Sequence, residues 1–298
     1  MANRLGRSLA PIDKLPSALR TFARREDCAQ AQPRTDQVRI VYEEPTDEKY
    51  RVIHDAMRER RILETVGSLL NSLRLPREMT LEVRGCQGRE TAWYDRGTAF
   101  FCYEYVDLIQ RHAPKSATPG GVQRGDAIVG AVIDTLFHES AHAVFDLLEI
   151  PVMGREEDAA DFFSIYLMLQ FPPEDARRLI EGIAFNMGSE ARKDFSERPE
   201  PRKFAGPHGP NVQRHYNVLC LAYAANQALF NNVVPAGLPP WRASTCWEEW
   251  AMLKRAFTKL IMPHVDEERL RDAIANVHFN WSPLITEPAS VDKPPLGD

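Results

Sequence analysis

Residues 126–161, DAIVGAVIDTLFHESAHAVFDLLEIPVMGREEDAAD, decide how this chain is read. Apolar side chains (Ile133, Leu136, Phe137, Ala141, Val144, Phe145, Leu147, Leu148) recur at helical spacing and wrap around the segment, so residues 126–148 read as a buried helix. Pro151 and Gly154 break it, and a second helix is expected over 155–171, stopping before Pro172-Pro173. Inside the first helix stands His138-Glu139-Ser140-Ala141-His142, an HExxH pattern. Histidines four residues apart lie one above the other on a helix face, so their ring nitrogens can converge on one metal ion.

Glu139 is offset by one residue, which aims its carboxylate beside such an ion, where it can take a proton from an activated water and pass it to a leaving amine. Catalytic zinc takes three protein ligands and keeps one position open. The next helix opens Glu156-Glu157-Asp158-Ala159-Ala160-Asp161, and Glu157 and Asp161 share one face. Glu157 is therefore expected as third ligand and Asp161 as the acceptor that orients a ligand histidine, with one Zn2+ per chain. Glu156 points about 100° away on the helix and is the weaker ligand candidate. Burying two histidines and a glutamate without partners would cost several kcal/mol, and a metal satisfies them together with the acidic head of the second helix. A donor for developing negative charge is sought in the later cluster around His208, Arg214, His215 and Tyr216. His208, in a Pro/Gly-rich loop that can reach over a cleft, is preferred, and Tyr216 is the alternative. His54, His112, His264 and His278 read as ordinary surface or core histidines.

Working outward, residues 37–42 (QVRIVY) alternate as a strand, and Thr46 and Asp47 can cap a long helix ending near Leu73, closed by Pro76. Strands are expected at 79–84, 91–94 and 98–103, with turns at Gly85, Gly88, Asp95 and Gly97, followed by a short helix to His112. Further helices are expected at 174–186, 211–230 and 241–262, with a short one to His278 and a loop over 196–210 that could cover the cleft. Strands first and helices second read as α+β. The expected organisation is a disordered leader (1–36), one domain (37–281, with a sheet-containing part 37–113 and a helical part 126–281) and a Pro-rich disordered tail (282–298).

The chain has 298 residues, is 44% hydrophobic and 27% charged, and carries a net charge of −5. That composition is globular, and no apolar run approaches the ~18–20 residues of a membrane span. Mixed charge leaves no electrostatic footprint for nucleic acid. The Arg-rich first residues are not followed by the apolar stretch of ~7–15 residues that marks a secretory signal. Cys28 falls in the leader. The other four cysteines form two sequence-local pairs, and spacing alone leaves bridges (86–102, 220–246) and buried free thiols equally open.

HExxH followed by Glu157-x-x-Ala160-Asp161 resembles the gluzincin class of zinc metallopeptidases. More closely, the chain resembles a bacterial metallopeptidase family catalogued as domain of unknown function 4344. The matching pieces are FHESAHAVFD (137–146), GREEDAAD (154–161), QRHYNVLC (213–220), Cys86 with Ala92-Trp93-Tyr94, Cys102-Tyr103-Glu104, and RASTC (242–246). The resemblance implies a zincin-like fold in which the active-site helix packs under a small sheet. It also implies an edge strand near 98–103 that binds an extended peptide by β-augmentation. It further implies hydrolysis of peptide bonds in peptide or protein substrates, and disulfides Cys86–Cys102 and Cys220–Cys246 in an extracytoplasmic protein. The competing reading is a non-catalytic zincin-fold module that binds peptides or partner proteins.

Overall fold

The computed structural model describes residues 36–196 and 204–284. The leader expected at 1–36, Asp36 apart, and the tail beyond 284 lie outside these residues. The fold is α+β. Four strands, β1 (Val38–Tyr42), β2 (Met79–Arg84), β3 (Ala92–Asp95) and β4 (Thr98–Cys102), form one sheet in the order β1-β2-β4-β3. β1 and β4 each pair parallel with β2, and β3 pairs antiparallel with β4. Alternation decides the faces: Met79, Leu81 and Val83 of β2 are buried against helices, while Thr80, Glu82 and Arg84 face the other way. The edge strand expected at 98–103 is instead interior. Residues 98–102 sit between β2 and β3, and β3 is the edge. The two-residue turn at Arg96-Gly97, both at positive φ, folds the chain back as a hairpin and leaves β3 outermost.

The helix expected from Thr46 to Leu73 is broken. A 3-10 turn (Glu48–Tyr50), capped by Asp47, leads into α1 (Arg51–Glu59), and α2 (Ile62–Leu70) starts afresh after Arg61 adopts a left-handed conformation. The interruption exposes an N–H that periodicity cannot show, and Leu63 N donates it to the Tyr42 hydroxyl at 3.0 Å. After β4 come α3 (Tyr103–His112), α4 (Arg124–Leu147) and α5 (Glu156–Met168). α6 (Pro173–Ser196) runs ten residues beyond its expected end at Asn186, because the lone Gly188 is tolerated inside the helix and no proline intervenes before Ser196. α7 (Asn211–Ala225) ends early at Asn226, and residues 241–262 divide into short turns, α8 (Cys246–Ala256) and a π-turn (Phe257–Ile261). α9 (Glu267–Asn276) closes the helical part. The first residues of the expected tail are docked rather than loose. Arg60 donates to the carbonyls of Ser282 and Pro283, and Leu284 is buried.

α4 is the axis of the molecule: almost every residue from Gly125 to Leu147 is buried, and the sheet, α5 and α6 all pack on it. α6 crosses it at a glycine pair. A Cβ on Gly182 would lie 2.1 Å from the Asp126 carbonyl oxygen, and one on Gly130 would lie 2.7 Å from that of Leu179. Arg178 of α6 grips the Asp126 carboxylate, fixing the crossing at the start of α4. Disulfides Cys86–Cys102 and Cys220–Cys246 are formed, the first joining the loop before β3 to the end of β4, the second α7 to α8. Both are compatible with an extracytoplasmic location. Among the described residues, no helix is long and apolar enough to cross a membrane. Gly182→Ala is expected to destabilise the protein by about 1–3 kcal/mol, since backbone must move to admit the methyl group. Thermal unfolding checks this against Gly206→Ala, where a Cβ meets nothing within 4 Å and no change is expected.

Candidate active site

The middle of α4 forms the floor of a cleft of about 780 Å³. The turn between α4 and α5 reverses the chain through Glu149 and Gly154, both at positive φ, so the acidic first turns of α5 come back over the two histidines. Three ligand-type atoms meet there. His138 Nε2 lies 3.0 Å from Glu157 Oε2, His142 Nε2 lies 3.4 Å from the same oxygen, and the two histidine nitrogens are 3.3 Å apart. Zn–N bonds of ~2.0–2.1 Å in a tetrahedron separate neighbouring ligand atoms by about 3.3 Å, so this triangle has the dimensions of three corners of a zinc site. Two imidazoles and a carboxylate are also a donor set suited to that ion.

The groups behind the triangle are fully partnered. His138 Nδ1 is 2.8 Å from Asp161 Oδ1, and Arg214 of α7 grips the same carboxylate through Nε and Nη2, both at 2.7 Å. His142 Nδ1 is 2.7 Å from Glu156 Oε1. Burial disfavours a charged His138, but the hydrogen bonds it donates to Asp161 and Glu157 outweigh it and raise the imidazole to about 10. Positive charge is thus favoured at this point. Asp161 is held well below the usual carboxylate range against its own burial, by Arg214 first and His138 second. One turn before His138, Asp134 accepts from Ser164 Oγ at 2.7 Å. Burial, reinforced by the neighbouring Asp161, pushes it up to about 6. Glu139 opens onto the cleft beside the triangle, and burial raises its affinity for a proton.

His208 lines the cleft, its Nε2 2.8 Å from Glu157 Oε2 and its ring stacked on that of His138. Gly209 permits this approach: a Cβ there would press on Arg155 and Asp158 at 3.3 Å. Tyr216, the alternative donor, is not among the cleft-lining residues. It stands beside His215, which is turned toward the Ala184 carbonyl. Tyr105 of α3, which no pattern in the sequence singles out, does line the cleft, close enough to Glu139 to feel its charge. His112, read as ordinary, also lines the cleft, whereas His54, His264 and His278 do not. The sequence shows Arg214 only as one of a cluster, and Glu156, the weaker ligand candidate there, touches the Nδ1 of His142.

A family model described as "Putative metallopeptidase", domain of unknown function 4344, matches residues 42–261. The chain belongs to this family. Neither a curated protein nor a solved structure matches it. Membership in this metallopeptidase family supports a peptidase-like function on peptide substrates. It suggests a metal, for which His138, His142 and Glu157 are the candidate holders. The matched segment contains α4, α5, α7 and both disulfides, so every element of the cleft described above falls inside the family's extent.

The Asp161–Arg214 pair is buried enough that removing one partner strands a charge. Arg214→Met is expected to cost about 3–5 kcal/mol, read by denaturant unfolding in chelator so that metal binding does not contribute. Because Asp161 is depressed in the folded state, the stability it confers is present above its unfolded value of ~3.9 and is lost as pH falls below it. The gap between wild type and Arg214→Met should therefore narrow in acid.

Proposed function

We propose that the protein is a zinc-dependent metallopeptidase, with zinc held by His138, His142 and Glu157. The observation that carries this reading is the triangle of 3.0, 3.3 and 3.4 Å among their ligand atoms, with the Glu139 carboxylate opening onto the same cleft. Zinc at such a site supplies Lewis acidity, polarising a carbonyl and easing the deprotonation of water. The chain's own groups do the rest. Glu139 accepts the proton of the attacking water and returns it to the departing nitrogen, and its buried position strengthens its hold on that proton between the two steps. Asp161 and Glu156 hold the Nδ1 atoms of His138 and His142, which keeps Nε2 of each ring facing the ion, and Arg214 holds Asp161.

The open side of β3 supports peptide docking. Thr91 to Tyr94 line the cleft, and an edge strand offers unpaired N–H and C=O groups to an extended chain. His208 lines the cleft beside the triangle, in contact with Glu157, and is our candidate for donating to the developing oxyanion. Residues 37–281 constitute the metallopeptidase domain in this reading, and the two disulfides support a periplasmic or secreted site of action. Glu139→Gln removes the base but not a ligand. It is expected to retain zinc while peptide turnover falls by ~10²–10⁴-fold, measured as kcat on a quenched-fluorescence peptide library beside metal content. Full turnover in that variant would refute the mechanism.

A further inference from the structure

β3 is a four-residue edge strand hydrogen-bonded to the sheet on one side only, yet a peptide docked on it must present its scissile bond to groups carried by α4. The strand's first end is held within the sheet. The Cys86–Cys102 disulfide closes the preceding loop, and buried Glu104 accepts the N–H groups of Cys86 (2.9 Å) and Gly88 (3.0 Å). The strand packs directly on α4, but that first end carries no polar tie to it among the described residues. Its other end does. Alternation turns Trp93 outward onto Phe100 and Tyr94 inward, and the Tyr94 hydroxyl donates to Asp146 Oδ2 at 2.5 Å while accepting the N–H of Gly97, in the β3–β4 turn, at 2.8 Å. Asp146 lies one helical turn beyond His142 on α4, so the phenol ties the strand's turn to the same helical face that carries both histidines.

We propose that Tyr94 and Asp146 form a strut that sets the gap between the docking strand and the reacting groups, a positioning role that rests on the peptidase reading above. Arg77, reaching the same Asp146 oxygen at 3.4 Å from the segment before β2, braces it from a third side. Burial and the Asp146 carboxylate push the Tyr94 hydroxyl up to about 12, so it remains a hydrogen-bond donor at any working pH. Asp146 is 48% exposed, and partly exposed polar pairs contribute little to global stability. The strut therefore acts on placement more than on folding. Losing it leaves the backbone edge of β3 free to bind peptide but lets the strand shift against α4, and a misplacement of ~1 Å can cost ~10²-fold in rate.

The test uses the full zinc-loaded chain and two substrates: an octapeptide long enough to pair along β3, and a blocked dipeptide amide too short to do so. Tyr94→Phe is expected to lower kcat on the octapeptide by ~10–100-fold with KM little changed, a loss clearly larger than on the short amide, while zinc content and Tm stay at wild-type values. Asp146→Asn keeps an oxygen that accepts the phenol and should retain most of the wild-type octapeptide rate. Unchanged octapeptide kcat in Tyr94→Phe, or an equal loss on both substrates, would overturn the strut while leaving the peptidase reading intact. A wild-type protein that turns over neither substrate would overturn the peptidase reading and the strut with it.

Discussion

Asp161 is 5% exposed, and its carboxylate lies between the imidazole of His138 and the guanidinium of Arg214. A buried carboxylate is tolerated only when charge and hydrogen bonds compensate its desolvation, and here three elements must meet to supply them. α5 brings the acid, α4 the histidine and α7 the arginine. Their packing is set by this requirement as much as by apolar burial. The same contact fixes the plane of the His138 ring, so the constraint that orders the helical part also aims Nε2 into the cleft.

Around that point the molecule divides its labour. α4 is buried along nearly its whole length and serves as a rigid rail, clamped by the glycine crossing with α6 and by Arg178 on Asp126. The sheet is less constrained, because β3 is outermost and short, and it is held through a disulfide at one end and a hydroxyl–carboxylate contact at the other. A site built on a buried helix and approached by a pinned edge strand keeps its acid–base groups fixed while leaving backbone available to a ligand.

The strand positions and the two central helices were legible because their signals are local. β2 alternates residue by residue, and α4 is apolar on all sides between clear breakers. The meeting of His138, His142, Glu157 and Asp161 follows from the four-residue helical repeat once Pro151 and Gly154 require a reversal. What was not legible depends on tertiary placement. Strand order is decided by the Arg96-Gly97 hairpin turning β3 outward, and no pattern within 98–103 marks that strand as interior. The break at Arg61 depends on a hydroxyl from Tyr42, about twenty residues away in sequence. Arg214 and Tyr105 come from distant helices, so their approach to the cleft is invisible to spacing, and Tyr216 was attractive only because it neighbours residues that do reach it.

The central claim is that the triangle of His138, His142 and Glu157 holds a zinc ion. Its most direct test is metal content by plasma mass spectrometry on protein purified without chelator, beside His138→Ala. The account predicts about one zinc per chain, lost in the variant. No metal in either protein, even after zinc is added back, would contradict it.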